Sequence, residues 1–151
     1  MRNGPWRSYP GSWKDGDAVL ATELIAYLTA AGYTVYPDAN FISADLPEAK
    51  LPCLFVMDSG GGPPHNYVPT ERPTYQIIVK GKSYKTLPAN MAATEALAKQ
   101  LKKLLHRKPN YLVGSTHVFA STATMEPIYL GLDTKDHPMY STNFEFYTKE
   151  G

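Results

Sequence analysis

Two stretches of the chain carry apolar residues at the spacing of an amphipathic helix. The stripe of the first consists of Leu20, Leu24, Leu28 and Ala31, with Ile25 and Tyr27 beside it. Asp15 or Asp17 can cap its first turn, and Gly32 can end it in the left-handed conformation that glycine favours. The pattern predicts a helix from about residue 15 to Ala31 that lies with one face on a core.

The second stretch is the more regular one. The helix is expected to begin near Pro88–Asn90 and to end at Leu105. Its apolar stripe consists of Ala93, Leu97, Leu101 and Leu104, and Leu105 borders this stripe. Glu95 and Lys99 stand four residues apart on the other side, where opposite charges stabilise a helix. This segment predicts the second main helix.

The remaining apolar segments are short and have the pattern of β-strands. They are Tyr33–Tyr36, the continuous run Leu51–Asp58, Tyr75–Lys80, Leu112–Ala120 and Tyr140–Tyr147. Apolar and polar residues alternate along Tyr140–Tyr147, as they do in a half-buried antiparallel strand. In the strand Tyr75–Lys80, the side chains of Tyr75, Ile77 and Val79 share one face. The order of elements predicts an α+β fold: a mostly antiparallel sheet of four to five strands, with two main helices packed on one face and long projecting loops.

Three segments fit neither pattern. Gly60–Pro73 begins with three glycines and two prolines and predicts a long loop. Ser121–Pro138 is too apolar for a solvated loop and can extend the strands as a projecting hairpin; its apolar residues include Met125, Ile128, Tyr129 and Leu130. Met1–Lys14 holds both tryptophans, so we divide the chain into an N-terminal aromatic arm, 1–14, and a single domain, 15–151.

Composition favours a surface suited to protein contacts. The chain has 151 residues, among them 13 Pro, 11 Gly and 11 Tyr, and tyrosine is enriched in protein interfaces. A formal net charge of +1 gives no global attraction to nucleic acid or to an acidic membrane. A single cysteine allows no intramolecular disulfide, and neither a secretory signal nor an apolar run of about 20 residues is present. We expect a soluble protein made in a reducing cytoplasm.

The motifs give no indication of a catalytic, cofactor or metal site. Gly60–Gly62 follow a strand as phosphate loops do, but Pro63 and Pro64 come next, where such a loop needs amide donors. The four histidines lack the i,i+4 spacing that places two of them on one metal. Cys53, in an apolar run, is expected to fill the core. A Ser/His/Asp triad assembled by the fold stays open.

A run of basic residues closes the second helix. It comprises Lys99, Lys102, Lys103, His106, Arg107 and Lys108. Cations oppose the partial negative charge of a helix C-terminus, and Tyr111 is the one nearby aromatic residue that could stack on bases. The run therefore favours a solvated helix end over a nucleic-acid site.

Several segments together resemble a known protein family. The pattern is Glu71-Arg72-Pro73-Thr74-Tyr75-Gln76-Ile77 leading into a strand, a short connection with Tyr84, the helix Ala93–Leu105, and the final strand Tyr140–Phe146. Over about residues 17–149 the chain resembles the small tail terminator and minor capsid proteins of long-tailed bacteriophages.

The resemblance implies a structural protein of the virion tail or neck, assembled in the host cytoplasm. Such proteins form a homo-oligomeric ring, usually hexameric, that caps the tail tube and joins it to the head connector. DNA passes through the ring without sequence-specific contact, and no catalytic residue, cofactor, metal or membrane is implied. The residues expected at assembly interfaces are Trp6, Tyr9, Trp13, Gly60, Gly61, Gly62, His65, Tyr67, Arg72, Met125, Ile128, Tyr129 and Leu130.

Three alternatives stay open. Another neck, head-completion or minor capsid component would share the same pattern, and the aromatic arm, which departs from it, could serve head joining as well as tail termination. A small hydrolase would use His117 or His65 with a nearby carboxylate. A nucleic-acid-binding module would use the basic run.

Overall fold

The computed structural model describes residues 16–36, 47–62 and 70–149. The elements are α1 Gly16–Ala30, β1 Val35–Tyr36, a 3₁₀ turn Glu48–Lys50, β2 Cys53–Gly62, β3 Thr70–Lys80, α2 Ala89–Leu105, β4 Lys108–Val113, β5 Thr116–Ala123, β6 Ile128–Leu132 and β7 Pro138–Lys149. The α+β class is confirmed.

The strands form one mixed sheet, and the predicted number of four to five strands is wrong. The sheet has seven strands in the order β1-β2-β3-β7-β5-β4, with β6 also paired to β7. β1 is parallel to β2, whereas the other pairs are antiparallel. One edge of β7 pairs with β3, and its other edge is shared: β6 pairs with residues 138–141 and β5 with residues 144–148.

Helix α1 ends where the sequence predicts. Gly32 follows it with a φ of +106°, a conformation that glycine adopts without strain. Leu24 and Leu28 are fully buried, as expected. Ala31 lies beyond the helix and is exposed, so its place in the buried stripe is wrong. The side chain of Leu20 and the cap residue Asp15 lie outside the described residues.

Helix α2 has the predicted bounds but buries a different stripe. Its buried residues are Thr94, Ala98, Leu101 and Leu105, whereas Ala93 is exposed and Leu97 and Leu104 are partly buried. Gly81 explains the rotation, because a Cβ there would overlap the Thr94 hydroxyl, and without it the helix can approach the end of β3 closely. Thr94 tolerates this burial because its hydroxyl donates to the Asn90 carbonyl at 2.6 Å.

Leu112–Ala120 is a hairpin and not the single predicted strand. β4 and β5 meet at Gly114, whose φ of +60° suits a tight turn, and Val113 pairs with Thr116 across it. The Glu23 carboxylate on α1 accepts hydrogen bonds from the Ser115 N–H at 2.6 Å and from its hydroxyl at 2.7 Å. The pair Gly114-Ser115 between two apolar segments is a two-residue hairpin signal, which the prediction of a single strand overlooked.

Within the described residues, both predicted long loops contain strand. Gly60–Gly62 extend β2 past a bulge, and Gly61 pairs with Pro73 and Gly62 with Arg72 in β3; residues 63–69 are not described. Ser121–Pro138 contains the end of β5, all of β6 and the first residue of β7, so its interpretation as a hairpin is confirmed. Main-chain pairing makes these segments strands, and side-chain periodicity carries little information about such pairing.

The core lies between the sheet and the helices, and a smaller cluster lies on the other face. Both helices contact the face that carries Tyr75, Ile77 and Val79, as predicted; the remaining members of this core include Leu54, Val56, Phe144 and Phe146. The smaller cluster consists of Leu51, Cys53, Phe55 and Ile78. Cys53 is buried there as predicted, and this burial raises the pKa of its thiol to about 12.

Candidate assembly surfaces

Strand β6 presents large apolar side chains to solvent. Ile128 is 49% exposed, Tyr129 45%, Leu130 47% and Leu132 38%. One edge of β6 pairs with β7, and no other strand within the described ranges pairs with its second edge. A free edge with apolar residues on it is a ready contact for another protein chain. The predicted residues Ile128, Tyr129 and Leu130 lie together here.

Four polar side chains anchor the turn between β6 and β7. Lys80 on β3 is fully buried, and its Nζ lies 2.7 Å from Asp133 Oδ2. The His137 ring joins Asp133 at 2.8 Å through Nδ1 and Glu48 of the 3₁₀ turn through Nε2. We call Lys80, Asp133, His137 and Glu48 the anchor cluster. It ties the β6–β7 hairpin to two other elements and so fixes the position of β6.

The charge on Asp133 is strongly stabilised. Burial opposes ionisation, but hydrogen bonds from Lys80, from the His137 ring and from the backbone N–H groups of His137 and Lys135 outweigh it and hold the pKa of Asp133 well below its usual range. A buried lysine is tolerated only when its charge is paired in this way. Asp133 is therefore ionised at neutral pH, where it keeps its pairing with Lys80.

A second apolar patch lies on the sheet face opposite the helices. Leu112 is 64% exposed, Phe119 37% and Tyr147 37%. Leu112 pairs with His117, and the His117 and Phe119 rings lie 4.5 Å apart between centroids. Because Val113, Val118 and Phe146 face the helices, their strand neighbours Leu112, His117 and Tyr147 face away from them. We call Leu112, His117, Phe119 and Tyr147 the outer patch; sequence reasoning missed it because the hairpin was taken for one strand.

The other predicted interface residues are scattered. Arg72 borders the outer patch, with its guanidinium 6.0 Å from the Tyr147 ring centre. Gly60, Gly61 and Gly62 lie at the end of β2, next to Arg72 in β3, and Met125 precedes β6. Trp6, Tyr9, Trp13, His65 and Tyr67 lie outside the described residues.

Two of the described histidines make structural contacts. His117 packs against Phe119, and both ring nitrogens of His137 face carboxylates, so the nitrogens of His137 are occupied within the protein. In the part of the chain that the structure describes, no group of three or more His, Cys, Asp or Glu side chains could hold a metal ion.

Two surface grooves flank α2, with volumes of about 330 and 350 Å³. They share Pro52, Leu97 and Gln100, and neither is lined by a histidine, aspartate or glutamate. A catalytic groove needs groups that take up or release a proton near neutral pH, and these side chains supply them most often. The grooves thus lack the three side chains most often used as general acid or base, although Lys82 lines one and Lys50 and Cys53 line the other.

The basic run is engaged in local contacts. Lys99 pairs with Glu95 at 3.4 Å, as predicted, and Lys102 pairs with Glu126. His106 Nδ1 accepts the Ala123 N–H at 3.0 Å, and Lys108 lies 5.0 Å above the Tyr111 ring. These contacts join the end of α2 to the β4–β6 region, which supports a structural use of the run. Within the described ranges, no helix has the length and apolarity to cross a membrane.

Comparison with known proteins assigns the chain to a family. The family model for the bacteriophage tail terminator protein matches residues 27–149, a region that runs from the last turn of α1 to the end of β7 and includes both apolar surfaces. No curated protein matches the chain. Since the match covers most of the sequence, the chain belongs to the bacteriophage tail terminator protein family and is a structural component of the phage tail.

Proposed function

We propose that the protein forms a homo-oligomeric ring, of six copies as in the families it resembles, that caps the tail tube and joins it to the head connector. The observation that supports this most is the free, apolar edge of β6 on an anchored hairpin. An edge held in place before assembly needs little further ordering when a partner binds, which lowers the entropic cost of association.

The other free edges of the sheet are protected. β1 has two residues, and β4 contains Lys108, Pro109 and, at a φ of 45°, Asn110. Short length, charge, proline and irregular backbone all hinder pairing with another chain. β6 has one such feature, a bulge between Tyr129 and Gly131, and otherwise presents aliphatic and aromatic residues. This contrast supports β6 as a surface meant to be covered.

The aromatic arm and the glycine-rich segment would contact neighbouring subunits, the tail-tube protein or neck proteins. Trp6, Tyr9 and Trp13 offer large apolar areas of the kind that anchor interfaces. His65 and Tyr67 extend the same role from the connection after Gly60–Gly62. A net charge of +1 is compatible with DNA passing through the ring without specific contact.

The protein acts by binding other proteins and not by catalysis, in the tail or neck of a virion that assembles in the host cytoplasm. The occupied nitrogens of His137, the raised pKa of Cys53 and the composition of the two grooves support this. Cys53 is packed in the core, and the His117 ring lies against Phe119.

The test is assembly of the purified full chain with its tail-tube protein. We expect a ring by native mass spectrometry and, in electron micrographs, tubes with a ring at one end that no longer grow. Leu130→Glu should abolish both, whereas Leu87→Glu, at a residue 54% exposed on another surface, should change neither. A chain that stays monomeric alone and with the tube protein contradicts the proposal. Binding to the head connector without binding to the tube would indicate a different neck component.

A further inference from the structure

We propose that the outer patch is the surface that receives β6 of the next copy, so that one head-to-tail contact, repeated, closes the ring. This inference rests on the proposed ring. It adds a surface to the predicted interface and identifies the occupant as a second copy of this chain. A ring requires such a contact, in which one surface meets a different surface of the neighbour, because a contact between identical surfaces closes at a dimer.

The distribution of exposed apolar residues supports two separate surfaces. In the described part of the chain, the large exposed hydrophobic residues are Leu87, Leu112, Phe119, Ile128, Tyr129, Leu130, Leu132 and Tyr147. Four of them form β6, three belong to the outer patch, and Leu87 stands apart. Two apolar surfaces on one chain are what a head-to-tail contact buries.

Geometry prevents one copy from joining its own two surfaces. β6 pairs with β7 around Tyr140, while the outer patch surrounds Tyr147 on the same strand. Seven residues of strand separate these positions by about 24 Å at about 3.4 Å per residue. The anchor cluster holds the β6–β7 turn on β3 and the 3₁₀ turn, so β6 stays at its end of β7. Contact between the surfaces therefore needs a second molecule.

The two surfaces are complementary in chemistry. β6 has no charged residue, and it follows Glu126, which pairs with Lys102 of its own chain but has a side chain that is 75% exposed. The outer patch combines three rings with bordering cations, Arg72 above Tyr147 and the exposed Lys149. The aliphatic residues of β6 would cover the rings while Glu126 approaches these cations. An anionic partner such as DNA would match the cations but leave the apolar residues of β6 exposed.

Single substitutions test each surface of the full-length protein. Leu130→Glu and Phe119→Glu place a charge in the centre of β6 and of the outer patch, and each should reduce ring formation by roughly tenfold or more at equal concentration, as loss of a central contact does. Leu87→Glu is the matched control and should leave the ring intact. Circular dichroism and thermal unfolding verify the fold; Leu112→Glu, at the most exposed patch residue, replaces Phe119→Glu if that variant does not fold.

Mixing the two variants gives the sharper test. The Leu130→Glu chain keeps an intact outer patch, and the Phe119→Glu chain keeps an intact β6, so an equimolar mixture contains one functional contact. We expect a one-to-one heterodimer by native mass spectrometry and sedimentation velocity, and nothing larger.

The outcomes separate this inference from the proposed ring. Rings that persist in Phe119→Glu and Leu112→Glu, or a mixture without the heterodimer, overturn the pairing of β6 with the outer patch while the ring itself stands. A wild-type chain that never forms a ring, alone or on tubes, overturns the proposed function and this inference with it.

Discussion

Lys80 has no solvent-exposed surface, although it carries a charge. Alternation along β3 placed its side chain opposite the face of Tyr75, Ile77 and Val79, and this is confirmed. Nothing in the sequence pattern indicates that this side chain is buried, because its partner Asp133 is distant in the chain and becomes a neighbour only when β6 and β7 form their hairpin. Burial of such a charge depends on the pairing.

Replacing Lys80 by methionine should destabilise the protein strongly. The Asp133 carboxylate would lose its cation in a buried setting, and breaking a buried ion pair by removing one partner costs about 3–5 kcal/mol. Urea unfolding followed by circular dichroism measures the loss. Lys85→Met is the control, because Lys85 pairs with Asp136 at 3.3 Å while its side chain is 68% exposed, and such a pair contributes about 0–1 kcal/mol. Equal losses in the two variants would show that the anchor cluster contributes no more than a surface pair.

The same cluster makes stability depend on acid. An unfolded aspartate has a pKa of about 3.9, and the pKa of folded Asp133 lies well below its usual range. The stabilisation is therefore complete above about pH 4 and is lost as pH falls toward the folded pKa, because the unfolded chain takes up the proton first.

In Asp133→Asn, this part of the acid sensitivity should disappear. Between about pH 4.5 and 2.5, the free energy of unfolding should fall less steeply in the variant than in the wild type. Some slope should remain in both, because the pKa of Glu23 is also lowered: burial opposes this, but hydrogen bonds from Thr116 and Ser115 outweigh it. Identical slopes in urea titrations across this range would contradict the assignment of the effect to Asp133.

Among the elements, α2 shows which features of a helix can be predicted from the periodicity of its apolar residues and which cannot. The period of 3.6 residues predicted the helix and its bounds, but not the rotation that buries Thr94 and Ala98 in place of Ala93 and Leu97. Apolar content favoured the leucine-rich stripe, whereas contact with Gly81 requires the face that carries Thr94. The preferred face of a helix is thus decided by the surface on which it packs.

A pair of alanine substitutions tests this rotation. Ala98→Leu introduces a larger side chain at a fully buried position and should destabilise the protein by about 1–3 kcal/mol, as overpacking does. Ala93→Leu adds the same atoms on the exposed side and should change stability by less than about 0.5 kcal/mol. Thermal and urea unfolding compare the two, and a larger loss for Ala93→Leu would place the buried face where the sequence pattern put it.

The bounds of the strands are likewise only partly predicted by side-chain alternation. Tyr140–Tyr147 was predicted as a strand, and β7 is longer, at 12 residues, because the backbone continues to pair after the alternating pattern ends. β4 and β5 were merged because the turn between them is only two residues long, Gly114 and Ser115, and apolar residues lie on both sides of it. The length of a strand is therefore set by backbone pairing with the neighbouring strands and not by the alternation of its side chains.

At the scale of the whole molecule, the aromatic arm, residues 1–14, is the part of the proposed interface that precedes all strands of the sheet in the sequence. Every member of the two described apolar clusters lies between Ala21 and Phe146. We predict that folding of this core and assembly through the arm are separable.

Deleting residues 1–14 should leave a folded protein that assembles less well. Because the core is intact, unfolding should stay cooperative and the far-ultraviolet circular dichroism should be that of a native α+β domain. The fraction of ring at equal concentration should fall, and a triple Trp6→Ala, Tyr9→Ala, Trp13→Ala variant of the full chain should reproduce this loss if the rings carry the contact. Unchanged ring formation in both variants would show that the arm has another role.

The sequence by itself determined the two helices, the main strands, the α+β class and the resemblance to tail terminators, because each depends on local periodicity or on short motifs. It also identified Ile128, Tyr129 and Leu130 as too apolar for solvent. The tertiary structure alone decided the seven-stranded order, the rotation of α2, the anchor cluster and the outer patch. Each of these depends on residues far apart in the chain that become neighbours when strands pair, and the register of that pairing is set by the packing of the whole sheet.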